Sequence, residues 1–149
     1  MIEIEHTAHS AAPRAQVWAK LSDLESWYEW GPWTETKLDG DIRTMVSERK
    51  RLTGKPYVMR ERVIGLMQET TEFEYRLLDG LPVKNYSAVV RLTDAPDGGT
   101  DIYWGARFDP PWPIFKGLWF GAMLKVIRDV SERLAAHAGN QPSLDTTTL

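Results

Sequence analysis

The chain has 149 residues, a formal net charge of −3 and a pI near 5.6, a size that fits one domain. Its hydrophobic fraction of 42% and charged fraction of 26% are those of a globular protein, and no Lys/Arg run marks a nucleic-acid binder. Because cysteine is absent, disulfides, thiol catalysis and thiolate metal sites are excluded.

The amino terminus alternates apolar and acidic residues from Met1 to Glu5, unlike the basic and then apolar start of a signal peptide. No apolar run approaches the roughly 18 residues of a transmembrane helix. We therefore expect a cytoplasmic protein without an integral membrane segment.

The first part of the chain predicts one strand followed by two short helices. Residues 2–10 alternate between an apolar row that includes His6 and a polar row, which is strand spacing. Pro13 suits the first turn of a helix, and apolar residues follow it at helical spacing. Asp23 is a candidate N-cap for a second short helix, which Gly31 and Pro32 end.

Residues 33–108 predict six strands in an antiparallel meander. Apolar and polar residues alternate over most of this stretch, as in half-buried strands. The connections between the strands are short and rich in Gly, Pro and Asp, which favours hairpins. These turn sequences occupy residues 39–41, 53–56, 79–82 and 94–99.

The last predicted element is a long amphipathic helix over 114–138, after the Pro-rich stop at 109–113. Gly139 and Asn140 supply its C-cap, and the polar residues 141–149 are expected to form a disordered tail after a single domain at 1–140. Apolar residues recur every three or four positions: Phe115, Leu118, Trp119, Ala122, Met123, Val126, Ile127, Val130, Leu134 and Ala138.

This order of elements predicts an α+β fold in which a curved, seven-stranded antiparallel sheet wraps around the long C-terminal helix. A straight helix cannot fill all the space beneath a curled sheet, so the gap becomes either packed core or a cavity. The seven Trp, five Tyr and four Phe either fill that core or line a cavity for a flat or greasy ligand.

Candidate ligand contacts come from several predicted elements. Trp30 and Trp33 adjoin the Gly-Pro break, where we expect the cavity mouth, whereas core packing explains Trp27. Three further aromatic residues lie on the apolar rows of their strands: Tyr75, Tyr86 and Trp104.

Three charged or titratable residues are further candidates. His6 lies on the apolar row of its strand, where an imidazole acts as acid, base or donor, or is held structurally. Arg60 and Arg62 share one row of the strand 57–67. If that row faces inward, they bind a carboxylate or an enolate. Otherwise they form an exposed cross-strand charge pattern with Glu61, Glu72 and Glu74.

No cofactor or metal is expected from the sequence. Three scattered His residues without matching carboxylates do not make a metal site. Gly98 and Gly99 form a turn and not a phosphate loop, and no serine stands in a nucleophile motif.

These residues carry a family resemblance. Ala12-Pro13 with Val17-Trp18, then Asp23, Trp27, Trp30 and Pro32, is similar to the amino-terminal pattern of the START-like superfamily, also called SRPBCC or helix-grip proteins. The similarity is to its polyketide cyclase/dehydrase and lipid-transport branch, and Gly99–Trp104 with Phe108–Pro110 resembles the Gly-Thr turn and strand of that branch. It covers residues 2–138 and implies the helix-grip fold. It leaves function open, since lipid carriers, hormone receptors, cyclases and chaperone activators share the scaffold.

The leading hypothesis is the binding of a small hydrophobic or amphipathic ligand, such as a lipid, a polyketide or a flat aromatic molecule, in an internal cavity. The alternative is a polyketide cyclase or aromatase that acts mainly by positioning its substrate. A second alternative is a chaperone-activator-like role with a protein partner, which requires an exposed apolar patch.

Overall fold

The computed structural model describes residues 1–140, and the predicted tail at 141–149 lies outside them. Within this range the chain forms seven strands, two α-helices and one turn of 3-10 helix. In chain order they are β1 (Ile2–Ser10), α1 (Arg14–Ser22), the 3-10 turn (Trp27–Glu29), β2 (Trp33–Asp39), β3 (Ile42–Lys50), β4 (Pro56–Met67), β5 (Glu72–Asp79), β6 (Lys84–Asp94), β7 (Thr100–Asp109) and α2 (Lys116–Gly139).

The strands form one antiparallel sheet in the order β1-β7-β6-β5-β4-β3-β2. Strands β2 to β7 follow one another as a meander, whereas β1 pairs with β7. The segment that contains α1 and the 3-10 turn therefore connects the two opposite edges of the sheet. The predicted α+β fold, with a seven-stranded antiparallel sheet and a long C-terminal helix, is confirmed.

Each strand turns one row of side chains toward the helices and the other toward solvent, as period-two alternation dictates. In β7, Ile102, Trp104 and Phe108 are at most 1% exposed, while Tyr103 and Arg107 belong to the outer row. Helix α2 lies against β1 and β7 and buries one stripe in the core: Met123, Ile127, Val130, Leu134 and Ala138.

The segment after α1 differs from the predicted second helix, because it makes only a single 3-10 turn. The carbonyl of Trp27 accepts hydrogen bonds from the N–H groups of Trp30 (3.2 Å) and Gly31 (2.7 Å), and the chain then enters β2. A Cβ at Gly31 would lie 2.2 Å from the Trp33 ring. Glycine is therefore required for this ring to fold over the backbone.

Helix α2 begins at Lys116, two residues later than predicted, because Phe115 has a left-handed backbone with φ of 66° that an α-helix does not accommodate. The predicted apolar stripe is wrong at its amino-terminal end. Phe115 and Leu118 are 64% and 69% exposed, because the sheet does not cover the first turns of α2. Val126 is 45% exposed, because it lies at the edge of the side that faces the sheet. None of the helices in residues 1–140 is long and apolar enough to cross a membrane.

His9, at the end of β1, connects this strand to β7 and to the turn before it. Its Nδ1 lies 3.2 Å from Oδ1 of Asp101, and its Nε2 lies 2.9 Å from Oδ2 of Asp97. The hydrogen bond to Asp101 and the charge of Asp97 raise the pKa of His9 above its ordinary value of 6.5.

Replacing His9 by asparagine should make stability less dependent on pH. Because the folded pKa of His9 is raised, its ion pairs contribute fully below pH 6.5, and that contribution is lost as the pH rises through the folded value. The melting temperatures of the variant and the parent chain should differ most in mildly acidic buffer and converge at alkaline pH. The shift should be small, because the pairs are solvent-exposed. A difference that does not vary with pH would contradict this role.

Candidate functional site

A small cavity of about 40 Å³ lies between α2 and the inner face of the sheet. Trp27 and Trp33 line it from the segment before and at the start of β2, Met45 and Met59 from β3 and β4, and Met123 from α2. Its walls are mainly apolar. Three of the lining residues are methionines, whose flexible side chains allow the cavity to change shape.

A buried ion pair lies beside this cavity. Arg43 of β3 and Glu61 of β4 are directly opposite each other in the sheet. The Nη2 and Nε atoms of Arg43 donate to Oε1 of Glu61 over 2.7 and 3.3 Å, and Nη1 donates to the Leu24 carbonyl over 3.4 Å. The side chain of Arg43 is fully buried and that of Glu61 is 7% exposed.

The surroundings hold this pair in one geometry. The Arg43 guanidinium lies 3.8 Å from the centroid of the Trp27 ring, a cation–π arrangement that is strongest where water is excluded. The indole N–H of Trp27 in turn donates to the Leu21 carbonyl over 2.8 Å. Burial raises the pKa of Glu61, and the Arg43 guanidinium opposes this rise.

Two tyrosines place hydroxyl groups on the same cavity. Tyr75 of β5 accepts a hydrogen bond from the indole N–H of Trp104 over 3.1 Å, and its ring centroid lies 6.3 Å from that of Tyr86 in β6. Burial raises the pKa of both hydroxyls, and the Glu61 carboxylate raises them further. Both phenols therefore stay neutral. The Tyr75 hydroxyl donates a hydrogen bond to the Tyr86 hydroxyl, so the Tyr86 hydroxyl is the one that can donate a hydrogen bond to a ligand oxygen.

Several predicted residues meet at this cavity. Trp33, Tyr75, Tyr86 and Trp104 line it, and their role as ligand contacts stays a prediction. Trp30 is buried one layer further out, with its ring centroid 4.9 Å from that of Trp27 and 6.2 Å from that of Trp33. Trp30 thus supports the lining without belonging to it, and its indole N–H has no partner among the described residues.

The other three predicted residues lie away from the cavity. His6 faces α2, with its Nε2 atom 3.0 Å from Oε1 of Glu132. Arg60 and Arg62 lie on the outer face of β4, about half exposed, and pair with Asp79 and Asp41 over 2.7 and 2.8 Å. The inward row of β4 is therefore the one that contains Glu61, and neither arginine is placed to bind a ligand in the cavity.

The ion pair is the part of the site that the sequence did not reveal. The prediction of an exposed charge pattern that includes Glu61 is wrong, because the Glu61 side chain is 7% exposed and pairs with Arg43. The sequence carries no separate prediction for Arg43. One usable signal was present, since Arg43 is two residues from Met45 on the alternating inward row of β3. A charged residue on an apolar row needs a buried partner.

A second depression, of about 710 Å³, lies mainly over the outer face of β1, β5, β6 and β7 and is open to solvent. Polar side chains there pair with one another. The Tyr103 hydroxyl donates to Oε2 of Glu5 over 3.0 Å, and Arg91 lies 3.8 Å from Glu72. Because small-molecule sites are enclosed and mainly apolar, the cavity under α2 is the better candidate. Among residues 1–140, no group of three or more His, Asp or Glu side chains is arranged to hold a metal ion.

A sheet that grips a long C-terminal helix over a cavity defines the START-like, or helix-grip, class. A START superfamily protein from Mycobacterium smegmatis superposes with a TM-score of 0.77 at 12% identity, over 91% of this chain and 96% of that one. The protein XoxI from Bacillus cereus gives 0.81 at 16% identity, over 94% and 97%. A putative uncharacterized protein from Bacillus thuringiensis gives 0.79 at 17%, over 94% and 100%. At these identities the likeness shows the fold alone.

Residues 1–139 match the family model described as polyketide cyclase / dehydrase and lipid transport, and the chain belongs to this family. The resemblance seen in the sequence is therefore confirmed. No curated protein matches the sequence significantly. The family and the fold together identify a scaffold of the type that binds hydrophobic ligands.

Proposed function

We propose that this chain binds a small hydrophobic or amphipathic molecule in the cavity between α2 and the sheet. The observation that carries the proposal is the combination of apolar walls with one polar end, formed by Glu61, Tyr75 and Tyr86. Packing alone does not call for a buried ion pair, because apolar residues of similar volume are often as stabilising or more so. A few polar groups in an apolar pocket are what orient a ligand.

Ligand entry must enlarge this cavity. Its volume of about 40 Å³ holds only a few water molecules, at roughly 10–15 Å³ each, whereas small-molecule sites commonly reach about 300–1,000 Å³. The side chains of Met45, Met59 and Met123 can adopt other rotamers at little cost. Val126, which lines the cavity and is 45% exposed, marks the side that opens to solvent. We therefore expect the amino-terminal half of α2 to move outward when a ligand binds.

The polar end favours a neutral ligand oxygen over a carboxylate. Three nitrogens of Arg43 already bind Glu61 and the Leu24 carbonyl, so the guanidinium is not available for a bidentate contact with a second anion. The Glu61 carboxylate would also repel a negative charge at short range. The hydroxyl of Tyr86, which accepts a hydrogen bond from Tyr75, can instead donate one to a carbonyl or phenol oxygen of the ligand. This chemistry favours a flat aromatic or polyketide-like ligand over a fatty acid.

Removing the hydroxyl of Tyr86 should weaken such binding without unfolding the chain. A panel of flat phenolic and quinone-like compounds, with fatty acids for comparison, is first screened by the shift in melting temperature, because a ligand of the folded state stabilises it. For a compound that binds, Tyr86→Phe should raise Kd by about fivefold to tenfold, the equivalent of one hydrogen bond of about 1 kcal/mol. Calorimetric titration measures the change.

Tyr103→Phe is the matched control, because this tyrosine lies on the outer face and its hydroxyl bonds Glu5. The Tyr103→Phe variant should bind the compound with the same Kd as the parent chain. A broad panel that never shifts the melting temperature would argue against the proposal. Equal losses of affinity in the Tyr86 and Tyr103 variants would argue against a site at the polar end.

A second candidate function is catalysis by positioning, and one observation favours it. Glu61, whose pKa burial raises, lines the same cavity as two neutral tyrosine hydroxyls, which is the set of groups that general acid–base chemistry uses. Mass spectrometry of a bound compound after prolonged incubation distinguishes the two functions. Binding alone returns the compound unchanged, whereas a cyclase or dehydratase returns a product that the Glu61→Gln variant does not form.

A further inference from the structure

The surface between residues 110 and 128, here called the tip segment, comprises the Pro-rich loop and the first turns of α2. Large apolar side chains on it reach solvent, each between 44% and 69% exposed. Trp112 packs against Trp119 with ring centroids 6.4 Å apart, so the loop and the helix form one continuous projection. The exposed apolar residues are Trp112, Ile114, Phe115, Leu118, Phe120 and Val126.

The first turns of α2 are apolar around their whole circumference. No charged residue occurs from Gly117 to Leu124, although only Met123 in this stretch is fully buried. A helix that is apolar all round is normally covered, either by a protein core or by lipid. The sheet covers one side only, and the opposite side, with Leu118, faces solvent.

The charge of the tip segment is opposite in sign to that of the whole chain. It contains Lys116, Lys125 and Arg128 and no acidic residue, whereas the net charge of the chain is −3. All three basic residues are exposed. The segment is therefore complementary to a negatively charged surface, and the rest of the chain is not.

The two carboxylates that flank the tip segment are both engaged. Asp109 accepts a hydrogen bond from Asn85 over 2.9 Å and lies 3.5 Å from the amino terminus. Asp129 accepts one from Arg133 over 3.0 Å. These pairs partly neutralise the negative charge nearest to the segment and reduce its repulsion from an anionic surface.

We propose that the tip segment docks on the surface of a bilayer that contains anionic phospholipids, with its aromatic and aliphatic side chains at the level of the headgroups. Segments that lie in this interface typically combine Trp, Phe and Leu with Lys and Arg. The long stems of the basic side chains let their charges reach the phosphates while the apolar side chains insert. This docking does not depend on an occupied cavity.

The test is flotation of the full chain with vesicles of phosphatidylcholine alone and of phosphatidylcholine mixed with phosphatidylglycerol. The chain should bind the mixed vesicles, and added salt should weaken the binding. The double variant Lys116→Glu/Lys125→Glu should bind at least about twenty-five-fold more weakly, at about fivefold for each basic residue lost near an anionic surface. Leu118→Ser should cost about tenfold through lost apolar burial.

Matched controls come from the end of β3 and the β3–β4 connection, where Leu52 is fully exposed and Lys50 and Lys55 are exposed as well. Leu52→Ser and Lys50→Glu/Lys55→Glu should bind vesicles as the parent chain does. All variants lie at exposed positions, and unchanged melting temperatures verify that they are folded. Absence of binding to the mixed vesicles, or equal losses in the control variants, would overturn the proposal. Self-association that Leu118→Ser abolishes, without vesicle binding, would overturn it in favour of a second copy of the chain.

Discussion

Replacing Arg43 by methionine should destabilise the folded chain by about 3–5 kcal/mol, because it leaves the Glu61 carboxylate buried without its partner. The variant also loses the cation–π contact with Trp27, at 3.8 Å. The free energy of unfolding from urea titrations measures this cost. The loss should be smaller below pH 4.5, the ordinary pKa of a glutamate, because a protonated Glu61 no longer needs a counter-charge.

The sign of this pH dependence follows from linkage. Without Arg43, the pKa of Glu61 rises further above its unfolded value, so the folded variant holds a proton that the unfolded chain has released. Its stability therefore falls as the pH rises above 4.5 and through the folded pKa. The parent chain should show a weaker trend, because the guanidinium opposes the shift.

Two controls make the Arg43 prediction specific. The double variant Arg43→Met/Glu61→Leu should regain most of the lost stability, since replacing both members of a buried pair is often neutral. Arg62→Met removes an arginine about half exposed and paired with Asp41, and should cost at most about 1 kcal/mol. An Arg43→Met variant as stable as the parent chain, or a double variant no better than the single one, would show that the pair is not energetically coupled.

The fold could be predicted from the sequence because its signals are local. Period-two alternation identified the buried row of β7, and the Gly-, Pro- and Asp-rich turns separated the strands of the meander. The 3-10 turn was less predictable. Whether one turn or two form after Ser26 depends on the Trp33 ring that packs over Gly31, and this contact joins the turn to a different element.

The ion pair at the candidate site could not be predicted, because it depends on register. Beside the turn, Lys50 pairs with Pro56. If this register continued along the two strands, Arg43 would lie opposite Val63. An irregularity between Val46 and Lys50 shifts the pairing by two residues and brings Arg43 opposite Glu61. A shift by two residues keeps each side chain on the same face of the sheet. Periodicity therefore separates the two rows of β4, but it identifies the inward row only when the inward row of β3 is known.

The sequence also could not predict which face of α2 contacts the sheet. The stripe of apolar residues contains Val126 and Ile127 side by side, and spacing alone treats both as core. In the fold Ile127 is 2% exposed and Val126 is 45% exposed, because the sheet lies against one side of the helix only. A broad apolar stripe on a helix thus predicts that some of it is buried, but not which edge.

Ile127→Asp should therefore destabilise the chain by more than about 4 kcal/mol, whereas Val126→Asp should cost about 1 kcal/mol or less. The first variant removes a buried aliphatic side chain and places a carboxylate between α2 and the sheet without a partner. The second places its carboxylate where water reaches it. Both introduce the same residue at adjacent positions of the same helix, so helix propensity cancels in the comparison. Urea unfolding of the two variants measures the difference, and a similar loss in both would mean that α2 is rotated relative to the sheet.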